Sequence, residues 1–145
     1  MDEKPYPFSL TRTEFRYEFE SVSQEKVVQK VVLFTQTDSP QIFNLALLDV
    51  LDNGKMSDIS VTNNDDLRTV LATVIKIIED FLNKNQDRFV IFRGSDDRRQ
   101  RLYRIVISRE LELLQQNFQI WGVVDNELTI FEPNNEMDFY LIGKK

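Results

Sequence analysis

The sequence predicts an α+β fold. An antiparallel four-stranded meander is packed by one long helix, and a strand, one or two further helices and a C-terminal hairpin follow. Three observations predict it. Apolar and polar residues alternate at period two in the first third of the chain. Apolar residues then recur at three- and four-residue spacing over one long segment. Finally, strand-like segments come in blocks rather than in strict alternation with helices, which disfavours a doubly wound parallel sheet.

Phe15, Tyr17 and Phe19 alternate with Glu14, Arg16, Glu18 and Glu20, which is the pattern of a half-buried strand. The stretch 27–35 is rich in Val and Phe, and 42–51 is a more continuous apolar run suited to a central strand. Asn53-Gly54 follows, a hairpin signal because both residues tolerate positive φ, and 56–61 is expected to pair back. Leu67, Val70, Leu71, Val74, Ile77, Ile78 and Phe81 line one face of a helix over about 65–84. Asn64 or Asp65 is suited to cap it, with Lys84 at the other end. Residues 89–92 are a short strand stopped by Gly94-Ser95-Asp96. For 97–108, Leu102, Ile105 and Val106 fit a helix, while Tyr103, Ile105 and Ile107 alternate like a strand; Ser95 or Asp96 as a cap favours the helix. A further helix over 109–116, a hairpin around Asp125-Asn126, and an edge strand over 139–142 complete the reading.

The 145 residues suit a single domain spanning 1–145 with one sizeable core, to which 11 phenylalanines contribute. The chain has no cysteine, so disulfides, thiol nucleophiles and thiolate metal sites are excluded. It has no histidine, which removes Ser-His-Asp triads and His-ligated metals. Its four glycines stand apart at 54, 94, 122 and 143, so no Gly-rich phosphate loop exists. The polar start, Met1-Asp2-Glu3-Lys4-Pro5, has no apolar run behind it. Residues 70–82, the longest apolar stretch, are too short for a bilayer and contain Lys76, Glu79 and Asp80. A cytoplasmic protein without membrane contact is the expectation. A net charge of −6 argues against a uniformly basic nucleic-acid binder.

Several strings carry a resemblance. They are Tyr6-Pro7-Phe8-Ser9-Leu10, Val61-Thr62-Asn63-Asn64-Asp65, Val70-Leu71-Ala72-Thr73-Val74, Arg93-Gly94-Ser95, Arg99-Gln100-Arg101-Leu102-Tyr103 and Phe118-Gln119-Ile120-Trp121-Gly122. In this order the chain resembles, over nearly its whole length, a family of small single-domain proteins of unknown function, mainly from Bacteroidetes. The resemblance implies a bacterial intracellular protein and carries no activity. Proteins of the family it resembles often have Thr-Pro where this chain has Asp96-Asp97. Ser-Thr-Pro starts helices, which supports a helix here, and the acidic replacement argues against a phosphate at this turn.

The charge distribution supplies the candidate site. Arg88, Arg93, Arg98, Arg99, Arg101, Arg104 and Arg109 are seven of the ten arginines and fall within 22 residues, opposed only by Asp96 and Asp97. Arginine suits bidentate recognition of carboxylate or phosphate. The expected binding residues are Arg93, Ser95, Arg98, Arg99, Arg101, Tyr103 and Arg104, with Tyr103 and Phe92 available to stack bases. On a helical wheel Arg98 falls with Leu102 and Ile105, so it is expected to be partly buried against an acid, with Arg101 and Arg104 on the wet side. The alternative for the whole segment is a solvated helix face paired with surface acids. A second polar segment, Thr62, Asn63, Asn64 and Asp65, reads first as a helix cap and second as a site loop. Asp49, Asp52 and Asp58 around the Asn-Gly turn read as turn chemistry, without the spacing of a calcium loop.

The leading functional reading is a binding module without enzymatic activity, offering its arginines to an acidic protein or a single-stranded nucleic acid. It needs no cofactor or metal, and self-association stays open. One rival is a metal-dependent enzyme acting on a phosphorylated small molecule or nucleic acid through Asp49, Asp52, Asp65 and Asp66. A third reading is a partner protein in a bacterial defence or toxin-control operon.

Overall fold

A computed structural model describes residues 4–11, 15–23, 26–51, 53–57, 66–133 and 135–145. Their strands are β1 (Phe8–Thr11), β2 (Arg16–Val22), β3 (Val27–Gln36), β4 (Ile42–Val50), β5 (Met56–Ser57), β6 (Phe89–Phe92), β7 (Phe118–Val124), β8 (Glu127–Ile130) and β9 (Phe139–Lys144). Two helices interrupt them, α1 (Leu67–Lys84) before β6 and α2 (Asp97–Gln115) after it. All nine strands join one sheet in the order β1-β2-β3-β4-β6-β9-β7-β8, with β5 pairing β4 beside this path. Every pairing is antiparallel except β4 with β6, which α1 connects.

The expected meander is present as β2 to β5 and gains β1, whose Phe8 and Leu10 alternate behind Pro7. The Asn-Gly turn closes a loop of residues 51–55: Leu51 N–H donates to the Lys55 carbonyl (2.7 Å), and Gly54 sits at φ 82°. Only Met56 and Ser57 of the returning strand lie among the described residues, because 58–61 fall outside them. The last hairpin is as expected. Asp125 (φ 51°) and Asn126 (φ 64°) form a left-handed two-residue turn that matches the twist of β7 and β8.

The favoured helix over 97–108 is present, and it runs on without a break as far as Gln115 as α2. Three expectations are corrected. The strand over 139–144 is not an edge but lies between β6 and β7, with Ile91 beside Leu141 and Trp121 beside Leu141. Helix α1 starts at Leu67, with Asp66 at its N-cap position, and Asp66 makes no side-chain cap bond; Asn64 and Asp65 lie outside the described residues. Lastly, one meander with one helix is too small a description, since both helices cover the same face of a larger mixed sheet.

That shared face holds the core. Alternate residues point to it from every long strand: Tyr17, Phe19, Val32, Phe34, Phe43, Leu45, Val90, Phe92, Ile120, Tyr140 and Ile142. Helix α1 buries Val70, Leu71, Val74, Ile77, Ile78 and Phe81 on them. Phe81 stacks on Phe34 with ring centres 4.1 Å apart and meets Phe43 at 5.5 Å. Each such side chain contributes roughly 1.5–3 kcal/mol when fully buried, which explains why the three-four spacing was decisive. Helix α2 buries Tyr103, Val106, Ile107, Glu110 and Leu114.

Candidate functional site

The arginine segment begins where β6 ends and α2 starts. Gly94 is buried, and a Cβ there would collide with the backbone of Arg99 and Gln100, so the first turn of α2 presses directly on it. Asp96 caps the helix: its Oδ1 accepts from Arg99 N–H at 2.8 Å, and its Oδ2 pairs with the Arg99 guanidinium. That backbone bond is the chief reason its carboxyl is held below the usual range. The charges of Arg99 and Arg98 add to the effect, and partial burial opposes it.

Gln100 locks this turn to the rest of the sheet. Its Oε1 accepts from Gly94 N–H (2.5 Å), and its Nε2 donates to the carbonyls of Met137 (2.8 Å) and Asp138 (3.2 Å). Its own carbonyl accepts from the Tyr140 hydroxyl at 2.8 Å. Three chain segments therefore converge on one amide, a role with no periodic signal in the sequence. Below it Tyr103 packs edge-on to Phe92 (5.1 Å) and near Tyr140 (6.3 Å). Burial raises the Tyr103 hydroxyl well above its ordinary value and pushes Tyr140 up to about 12, with the Arg104 charge opposing the latter.

Above this base, Ser95, Arg93, Arg98 and Arg101 are exposed and Arg104 is half-buried. Arg93 lies over the Phe139 ring at 5.3 Å. Among the described residues no ion pair engages Arg93, Arg98, Arg101 or Arg104. The structure thus brings most of the expected site to one end of α2 but reassigns three members. Arg98 is exposed rather than tucked over the apolar stripe, and Arg99 is the half-buried arginine with the acid partner. Tyr103 and Phe92 are buried, so neither offers a face for a base. Arg88 belongs elsewhere, stacked over Phe43 (4.8 Å) and Phe15 (5.7 Å). Arg109 is exposed further along α2 and engaged locally.

The acids of the rival reading are also located. Asp49 is buried and bonded to the buried Lys30 at 2.5 Å, although its Oδ2 has no partner among the described residues. Asp66 Oδ2 accepts from Tyr6 (2.6 Å) and Ser21 (2.5 Å), which ties residues 4–11 to the start of α1 together with the bond from Tyr6 N–H to Thr73 Oγ1 (2.9 Å). Asp52, Asp58 and the loop Thr62, Asn63, Asn64 and Asp65 lie outside the described residues. Among the described residues no group of three or more acids is placed to hold a metal ion. No described helix is long and apolar enough to cross a membrane.

The family comparison covers nearly the whole chain. The model of a family of unknown function, DUF6934, matches residues 2–145. The chain belongs to that family. No curated protein and no solved structure matches it.

Proposed function

We propose that this DUF6934 protein is a non-enzymatic binding module of a bacterial cytoplasm, Bacteroidetes being the expected source, and that the start of α2 receives an acidic protein surface. The observation that carries this reading is the set of arginines at one end of α2, Arg93, Arg98, Arg101 and Arg104, none of them in an ion pair among the described residues. Carboxylates are favoured over single-stranded nucleic acid because Phe92 and Tyr103, the rings expected to stack bases, are buried, and the half-buried Phe139 is already covered by Arg93. Asp96 occupies Arg99 N–H and, with Asp97, sets negative charge at this helix start, which disfavours a phosphate there. The arginine side chains, not the helix terminus, are the recognition groups.

The test is titration with a polyglutamate chain and, separately, with single-stranded RNA at low salt. The polyglutamate should bind with an affinity that falls steeply with salt. Arg98→Ala and Arg101→Ala should each weaken it about two- to fivefold, the range of exposed ion pairs, with the melting temperature unchanged. Tighter binding of RNA would move the assignment to nucleic acid, and failure of both ligands to bind would end it.

A further inference from the structure

Among the described residues, Arg99 is the one arginine at the start of α2 held in an ion pair, while Arg93, Arg98, Arg101 and Arg104 are in none. Its partner Asp96 divides two oxygens between two tasks. Oδ1 accepts from the Arg99 backbone N–H at 2.8 Å and caps the helix, and Oδ2 takes the Arg99 guanidinium. The cap and the ion pair are therefore separable: the guanidinium can leave Oδ2 while Oδ1 keeps the first turn closed. The backbone of that turn need not move, because Gln100 fixes it to Gly94, Met137 and Asp138. The pair is also within reach of an incoming group, with side-chain exposures of 24 % for Arg99 and 48 % for Asp96. An ion pair so exposed is weak enough to exchange. Asp97, the other acid of this turn, lies two residues before Arg99 and does not face it on the helix.

We infer that Asp96 is an internal competitor at this surface: its carboxylate holds Arg99 where a partner's carboxylate would, and a partner recruits Arg99 only by displacing it. This rests on the reading of the start of α2 as the receiver of an acidic protein surface. The Asp96 charge acts on Arg98 as well. After the Arg99 N–H bond, the charges of Arg99 and Arg98 hold its carboxyl below the usual range, so the same carboxylate weakens the pull of both arginines on an incoming acid. The contact thereby selects among acids. A lone carboxylate offers Arg99 no more than Asp96 already does, and it meets the Asp96 charge on approach. A run of carboxylates engages Arg98, Arg101 and Arg104 first, and its next carboxylate then competes for Arg99 at high local concentration. The surface passes over isolated acids and takes dense ones, and Asp96 sets that threshold.

The test is titration of the full chain and its variants with polyglutamate at low salt. Asp96→Asn keeps a side-chain oxygen for the Arg99 N–H, so the helix stays capped. It should bind polyglutamate about two- to fivefold tighter than the wild type, the range of one exposed ion pair, and lose affinity more steeply as salt is added. Asp97→Asn removes the same charge without releasing Arg99, and should tighten binding less than about twofold. Arg99→Gln should cost less than about twofold beside Asp96, and should cancel the gain when combined with Asp96→Asn. Should Asp96→Asn fail to fold, Asp96→Ser supplies a second uncharged cap with the same expected gain. Equal gains from the Asp96 and Asp97 variants would reduce the effect to bulk charge and overturn the inference. So would an Asp96→Asn chain that binds no tighter than a wild type that does bind, and both results leave the acidic-partner reading standing. If neither chain binds polyglutamate, the inference falls together with that reading.

Discussion

Lys30 and Asp49 face the core from neighbouring strands, both more than nine-tenths buried, with Nζ and Oδ1 2.5 Å apart. At an effective dielectric of about 20, two unit charges at that distance attract by about 7 kcal/mol. Removing both from water costs several kcal/mol per ion, so the pair as a whole is close to neutral for stability. Breaking it is a different matter. Lys30→Met leaves the Asp49 carboxylate buried with both oxygens unpartnered, and should cost roughly 3–5 kcal/mol. Asp49→Leu leaves the lysine, whose long stem can carry its ammonium toward water, and should cost less, about 2 kcal/mol. The double variant should lie within about 1 kcal/mol of the wild type, because no buried charge remains. Urea denaturation followed by circular dichroism gives all four stabilities. Additive losses in the double variant would refute the reasoning, and so would single variants that each cost less than about 1 kcal/mol, the range of a solvated pair.

Two further outcomes are expected. Gly94→Ala should lose about 2–3 kcal/mol in thermal denaturation, because the new methyl meets helix backbone that cannot move aside as a side-chain tip would; an unchanged melting temperature would refute that contact. Stability should also fall above pH 10: burial raises Tyr140 to about 12 and Tyr103 further, so their contribution is complete below the unfolded value of 10.0 and is lost as pH rises toward the folded values. Tyr140→Phe should make that fall shallower in urea midpoints measured across this range, and an equal slope would show that Tyr140 is solvated.

Long apolar periodicity made α1 legible, and two adjacent residues tolerant of positive φ made the Asp125-Asn126 turn legible. Lateral strand order was not, because alternation gives which face a residue takes and never which strand lies beside it; hence the central place of β9 and the parallel β4–β6 pair were invisible. The phase of α2 was misjudged for a different reason. Its interior includes Tyr103 and Glu110 while Leu113 is 60 % exposed, so counting apolar residues rotated the wheel and exchanged Arg98 with Arg99. The site's cluster of arginines was plain from composition. The Gln100 lock was not, since a single amide bridging 94, 137 and 138 leaves no pattern along the chain.

The placement of β9 has a consequence for how the chain is made. Helix α2, β7 and β8 all emerge from the ribosome before the strand that joins them to β6. Until residues 139–144 are released, the β7–β8 hairpin has no neighbour in the sheet, and both edges of that gap stand open with their apolar side chains bare. At about 5–20 residues per second the interval lasts at least on the order of a second. A chain truncated before residue 139 should therefore engage chaperones far more than the full chain does.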